Sequence, residues 1–167
     1  LHTSATAEGV VVELGFSVHA FELRYRMQYA SSLKLELSIH NRSEQVTQCE
    51  VALHTYLNLG DVRQVRIHGL ESQDYLDQLT RETVDATHEP ISFCEETDRI
   101  YWGTADQIHI VDPQLKRMLL LKPFGSHATV VWNPWIAKSE RMDDLGNEEY
   151  LLCECAVLKQ RTYDPSR

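Results

Sequence analysis

Phe21-Glu22-Leu23-Arg24-Tyr25-Arg26-Met27-Gln28-Tyr29 is followed, after Ala30-Ser31-Ser32, by Leu33-Lys34-Leu35-Glu36-Leu37-Ser38-Ile39-His40. Apolar and polar side chains alternate through both runs. Successive side chains on a strand point to opposite faces, so this pattern gives each run one buried and one wet face. Two such runs joined by three small residues predict an antiparallel hairpin. A one-sided apolar pattern is what antiparallel sheets carry.

The rest of the chain extends that reading. Val10-Val11-Val12-Glu13-Leu14 reads as a strand, as do the stretches from Gln48 to Tyr56, Gln64 to Ile67, Gln107 to Val111, Met118 to Leu121, Thr129 to Trp132 and Tyr150 to Val157. Breakers punctuate them: Gly60-Asp61, Gly69, Pro90, Asp112-Pro113, Pro123, Asn133-Pro134 and Gly146-Asn147. Apart from one short helical turn between Ser139 and Asp144, no segment has convincing helical periodicity. Many strands at short spacing predict an all-β protein, an antiparallel β-sandwich.

Composition narrows the function classes. The 167 residues carry a formal net charge of −9, with 43% hydrophobic and 25% charged residues. An acidic chain is a poor match for non-specific nucleic-acid binding, which needs a basic surface. It can still bind a small anion through a local cationic cluster. No apolar run approaches the ~18 residues that a membrane span needs, and no signal peptide is visible. The four cysteines, Cys49, Cys94, Cys153 and Cys155, fit no zinc-site spacing and read as free thiols of a reducing cytoplasm. Asn41-Arg42-Ser43 fits a glycosylation pattern and reads as a surface turn. The opening Leu1-His2-Thr3-Ser4, with no initial Met, is expected of a piece of a longer protein.

One strand carries a group suited to proton transfer. In Ala52-Leu53-His54-Thr55-Tyr56-Leu57-Asn58-Leu59-Gly60-Asp61, alternation sets His54 on one face with Ala52 and Tyr56, and sets Val51, Leu53 and Thr55 on the other. If the second face is the core, His54 looks into a groove or solvent beside an aromatic ring, as a sugar site requires. An imidazole, with its ordinary pKa of ~6.5, exchanges protons near neutral pH.

This segment resembles the Leu-His-Thr-Tyr-Phe motif of the hexose-6-phosphate mutarotases (glucose-6-phosphate 1-epimerases), within the aldose 1-epimerase superfamily. Further stretches follow in the family's order: Gly60-Asp61-Val62-Arg63-Gln64-Val65, Gly69-Leu70, Tyr75-Leu76-Asp77, Glu96-Thr97-Asp98-Arg99-Ile100-Tyr101, Val130-Val131-Trp132-Asn133-Pro134-Trp135 and Arg141-Met142-Asp143-Asp144. The likeness runs from about residue 10 to about residue 157. It implies a galactose mutarotase-like sandwich, with residues 1–167 forming a single domain incomplete at both ends. The isolated piece is expected to be poorly soluble, because cutting a sandwich exposes strand edges.

The resemblance also implies a chemistry. A base removes the anomeric hydroxyl proton while an acid protonates the ring oxygen; the ring opens, and reclosure gives the other anomer. The reaction needs no metal and no organic cofactor, and its partner is a small sugar phosphate. On the family's pattern His54 is the acid, Asp98 binds sugar hydroxyls, Trp132 stacks on the sugar and Asn133 bonds to its hydroxyls. Read without the family, Asp98 is a loop carboxylate beside Arg99, and Trp132 and Asn133 are a core ring and a turn residue.

Two departures stand out. The family places its base in Cys-x-Glu, whereas this chain reads Leu152-Cys153-Glu154-Cys155-Ala156-Val157. Either a local deletion or bulge keeps Glu154 as the base, or counting from Tyr150 puts Val157 there. The family's Arg-Gly-Gly and His-Gly-Phe-Ala-Arg segments, which supply phosphate-binding arginines, are not in this chain. A neutral aldose 1-epimerase and a non-catalytic sugar-binding sandwich therefore stay open.

Overall fold

A computed structural model describes residues 2–6, 9–103, 105–139 and 152–163, the last of these through the backbone. Thirteen strands dominate it. They are β1 (His2–Thr6), β2 (Gly9–Val18), β3 (Phe21–Tyr29), β4 (Leu33–Asn41), β5 (Thr47–Leu57), β6 (Arg66–His68), β7 (Tyr75–Asp77), β8 (Glu82–Val84), β9 (Thr97–Trp102), β10 (Ile108–Asp112), β11 (Arg117–Leu121), β12 (Ala128–Asn133) and β13 (Leu152–Tyr163). A 3-10 turn at Val62–Gln64 and one short helix, α1 (Trp135–Ser139), complete the described elements.

The chain divides into two compact units, residues 1–49 with 161–167, and residues 50–160. The first unit is built on a sheet in the order β1-β2-β3-β4. Its central hairpin is the one that the alternation predicts. Phe21 pairs with Asn41, and the register closes at Tyr29 opposite Leu33. Strand β2 runs four residues beyond Leu14 and pairs along its whole length with β3, from Val10–Tyr29 to Val18–Phe21. Asn41 forms a turn, as expected, but it is buried rather than on the surface: its Nδ2 donates to the Gln45 carbonyl at 2.8 Å and its Oδ1 accepts from Ser43 N at 2.9 Å.

The second unit holds a core between two antiparallel sheets, β11-β10-β6 and β5-β13-β12-β9-β7-β8. Ile67, Ile108 and Ile110 come from the first sheet, and Tyr75, Tyr101 and Val131 from the second; all are buried in one cluster with Leu59, Val65 and Leu70. The Tyr75 and Tyr101 rings lie 5.2 Å apart, and the Arg99 guanidinium sits 4.7 Å above Tyr75. Such stacking confers geometry as well as apolar burial.

Loop chemistry fixes the ends of these strands. Asp61 caps the 3-10 turn, accepting from Arg63 N at 3.0 Å and from Gln64 Nε2 at 2.9 Å. This turn takes the first residues of the stretch read as a strand from Gln64, so pairing starts at Arg66. Gly69 sits at φ +103, and a Cβ there would meet the Gln107 carbonyl oxygen at 2.3 Å, so only glycine fits. The fully buried Asp112 carboxylate accepts from Gly60 N at 3.2 Å, Leu115 N at 3.1 Å and Arg117 Nε at 3.3 Å. The helical turn expected between Ser139 and Asp144 falls, beyond Ser139, outside the described residues; α1 ends at Ser139. The strand expected from Tyr150 is described from Leu152 onward.

Candidate functional site

The six-stranded sheet gathers the residues that the sequence singles out. Four neighbouring strands, β5, β13, β12 and β9, carry His54, Glu154, Trp132 with Asn133, and Asp98 respectively. All lie within the second unit. Inter-strand spacing of ~4.8 Å sets β5 roughly 14 Å from β9 across three steps.

Burial assigns the faces. On β9 and β12 the register is Asp98–Trp132, Arg99–Val131, Ile100–Val130 and Tyr101–Thr129. Val131 and Tyr101 enter the core cluster, so Asp98 and Trp132 lie on the outer face, where Ile100 and Trp132 pack on Val130. On β5, Val51, Leu53, Thr55 and Leu57 are half-buried while Ala52, His54 and Tyr56 are exposed. Leu57 packs against the core cluster, so alternation puts His54 on the same outer face as Asp98 and Trp132. His54 is thus exposed on the outer face of the sheet, beside Tyr56.

Asn133 is not brought to that face. It is buried opposite Thr97, and its Oδ1 accepts from Trp135 N at 2.9 Å. Its described bond holds the Asn133-Pro134-Trp135 turn together. Trp135 enters α1 at φ +55, a conformation that bulky residues rarely adopt, and its ring packs on the core cluster. Burial of the indole offsets the strain of the turn.

Glu154 stands opposite Val131 in an unbroken register that runs from Ala128–Val157 to Trp132–Cys153. The ladder Asp98–Trp132 thus continues to Cys153, and the ladder Arg99–Val131 continues to Glu154. One residue of slip would exchange the two ladders.

Electrostatics focus on Asp98. Burial pushes its carboxyl above the usual carboxylate range; the bond from Gln78 Nε2 to Oδ1 and the charge of Lys138 pull it down, and Glu96 and Asp77 push it up. Backbone pairing reinforces the Gln78 contact, with Gln78 N donating to the Asp98 carbonyl at 2.8 Å. Lys138, on α1, bonds Glu96 Oε1 at 2.6 Å and sits 5.7 Å from the centroid of the Trp132 ring. Neither Gln78 nor Lys138 is evident from sequence periodicity. Lys138 has one usable signal, its place just after the Asn133-Pro134 turn that follows Trp132. Among the described residues, no group of three or more His, Cys, Asp or Glu is placed to hold a metal ion. No helix among them is long and apolar enough to cross a membrane.

The nearly all-β antiparallel fold, with a histidine, two carboxylate-bearing positions and an indole on neighbouring strands of one sheet, can be set beside known proteins. Residues 11–156 match the family model described as aldose 1-epimerase. The chain belongs to the aldose 1-epimerase family. A protein of Cenchrus ciliaris named "Putative glucose-6-phosphate 1-epimerase" is 35% identical over 156 residues, which cover 88% of this chain and 47% of that protein. A Haemophilus influenzae protein of the same name is 30% identical over 146 residues, covering 86% of this chain and 51% of its own length. The chain thus spans about half the length of these relatives. Among solved structures, one described as a putative mutarotase from Salmonella typhimurium superposes with a TM-score of 0.83 at 25% identity, covering 96% of this chain and 58% of that one. Its galactose mutarotase-like fold is the one that the sequence motifs imply.

Proposed function

We propose that the protein carrying this chain interconverts the α and β anomers of a hexose 6-phosphate by acid–base ring opening. The observation that carries this reading is the shared outer face of His54, Asp98 and Trp132, on a sheet whose strand β13, neighbour to β5, bears Glu154. The names of the relatives supply the phosphorylated substrate.

His54 donates its proton to the ring oxygen. Glu154 takes the proton of the anomeric hydroxyl, the C1–O5 bond breaks and a C1 carbonyl forms. Rotation about C1–C2 presents the other carbonyl face, and reclosure returns both protons with the roles exchanged. Asp98 accepts hydrogen bonds from sugar hydroxyls while the Trp132 ring covers an apolar sugar face. The protein is a soluble isomerase of the cytoplasm in this reading. The backbone register pairs Glu154 with Val131, and a one-residue shift or bulge of β13 brings it onto the Asp98–Trp132 ladder in this reading.

That same register favours a second reading, a sugar-binding sandwich that lacks a base. Exchange spectroscopy on glucose 6-phosphate and on glucose, with the natural protein that carries this chain, separates the readings. Faster anomer exchange of the phosphate than of glucose supports the proposal. Equal rates identify a neutral aldose 1-epimerase, and binding without exchange identifies the binding module.

A further inference from the structure

Lys138 has no role in the acid–base scheme, yet it stands beside the groups that would hold the sugar. Its ammonium is tethered to Glu96 at 2.6 Å and lies over the Trp132 ring. Both partners of the ion pair are half-buried and still reached by water, with side-chain accessibilities of 42% and 33%. Ion pairs this open contribute little to stability, so packing alone does not explain the arrangement. Trp132 lies directly opposite Asp98, and the charge of Lys138 acts on the Asp98 carboxyl as well.

We propose that Lys138 is the positioning residue of the Asp98–Trp132 platform: held by Glu96, it fixes the indole face for stacking and sets a positive charge on the side of the sheet where Asp98 accepts from sugar hydroxyls. This rests on the function proposed above and adds to it the residue that sets affinity. A cation 5.7 Å from a ring centroid is in cation–π range, and it limits the ring's rotation. A positive charge near a partly buried carboxylate favours the ionised form, opposing burial, Glu96 and Asp77. The remaining contact on Asp98 is the uncharged Gln78 amide. Substrate affinity should therefore follow the ionisation of Asp98 and depend on Lys138, while proton transfer at His54 does not.

The test uses the natural protein with Lys138→Met, Lys138→Gln and Lys138→Arg. Asp98 is followed by carboxyl carbon NMR across pH, and anomer exchange of glucose 6-phosphate gives KM and kcat. Folding is checked by unfolding midpoints. The expected result in both uncharged variants is an Asp98 titration moved to higher pH, with the acid limb of the affinity profile moving alongside it. KM should rise about two- to five-fold, the scale of one exposed cation–π contact, with kcat unchanged and Lys138→Arg restoring both. An Asp98 titration and KM that stay at wild-type values in a folded uncharged variant would overturn the proposal. Absence of anomer exchange in the wild type would sink the function proposed above. The Asp98 titration would then decide on Lys138 alone, a shift supporting its role and no shift overturning it.

Discussion

Asp98 stands directly opposite Trp132 across the β9–β12 pair, on the face of the sheet turned away from the core. A carboxylate and an indole side by side are what a hexose needs, one for its hydroxyls and one for its apolar face. Strand pairing alone fixes their separation. Removing either should weaken sugar binding and leave the fold in place. Asp98→Asn and Trp132→Ala should each lower affinity for glucose 6-phosphate, by about ten-fold or more for the stacking ring. Isothermal titration checks this; unchanged affinity in both variants would place the sugar elsewhere.

The Asp98 carboxyl also predicts a pH dependence. Burial, the largest cause, raises its folded-state pKa above the ordinary aspartate value of 3.8. Between the two pKa values the folded protein holds more protons than the unfolded chain. Stability therefore falls as pH rises through that window, and the penalty stays at neutral pH. Asp98→Asn removes the penalty. The stability of wild type relative to this variant should improve as pH drops through the raised pKa, measured by denaturant midpoints. Sugar affinity should move the other way, lost on acidification as the acceptor is protonated.

Asp61 behaves oppositely. Its side-chain bond from Arg63 is the largest cause holding its pKa down to about 2, helped by Gln64. A depressed carboxylate stabilises the fold above the unfolded value of 3.8, and the contribution is lost as pH falls through about 2. Asp61→Asn should be destabilising at neutral pH by an amount that shrinks between those two values. A difference that does not change with pH would mean that the capping geometry, not the charge, matters.

Gly69→Ala tests the turn that follows β6. The substituent would need φ +103 and would strike the Gln107 carbonyl oxygen. Strain of this kind costs on the order of 1–3 kcal/mol. The unfolding midpoint should drop accordingly, with the sheet register unchanged in amide spectra. A neutral substitution would show that the turn can relax.

Much of this fold is legible in the sequence where strands are long and one-sided. The Phe21–Tyr29 and Leu33–Asn41 pair declares itself because nine residues each alternate against water. Tyr75–Asp77 and Glu82–Val84 escape periodicity, since three residues carry no period. Thr97–Trp102 sets Asp98 beside Arg99, so its two faces are both polar at that point, and only the family motif marks it. Val130-Val131-Trp132-Asn133 is buried along nearly its whole length, within a sheet covered on both sides there. A run of that kind signals a strand but does not say which residue faces which way. The motif therefore groups Trp132 with Asn133, and the register separates them. Lys138 lies outside strand logic altogether; it reaches the outer face because the Asn133-Pro134-Trp135 turn folds α1 back over the sheet.

Anomer exchange of glucose 6-phosphate by NMR, comparing wild type with His54→Asn and Glu154→Gln in the natural protein, tests acid–base ring opening at this sheet. His54 is exposed, so its replacement should leave the fold intact. Wild type should accelerate exchange, and each variant should lose about 10²–10⁴-fold, the contribution of one positioned acid or base. A folded His54→Asn variant that exchanges anomers at the wild-type rate would contradict acid–base ring opening at this sheet.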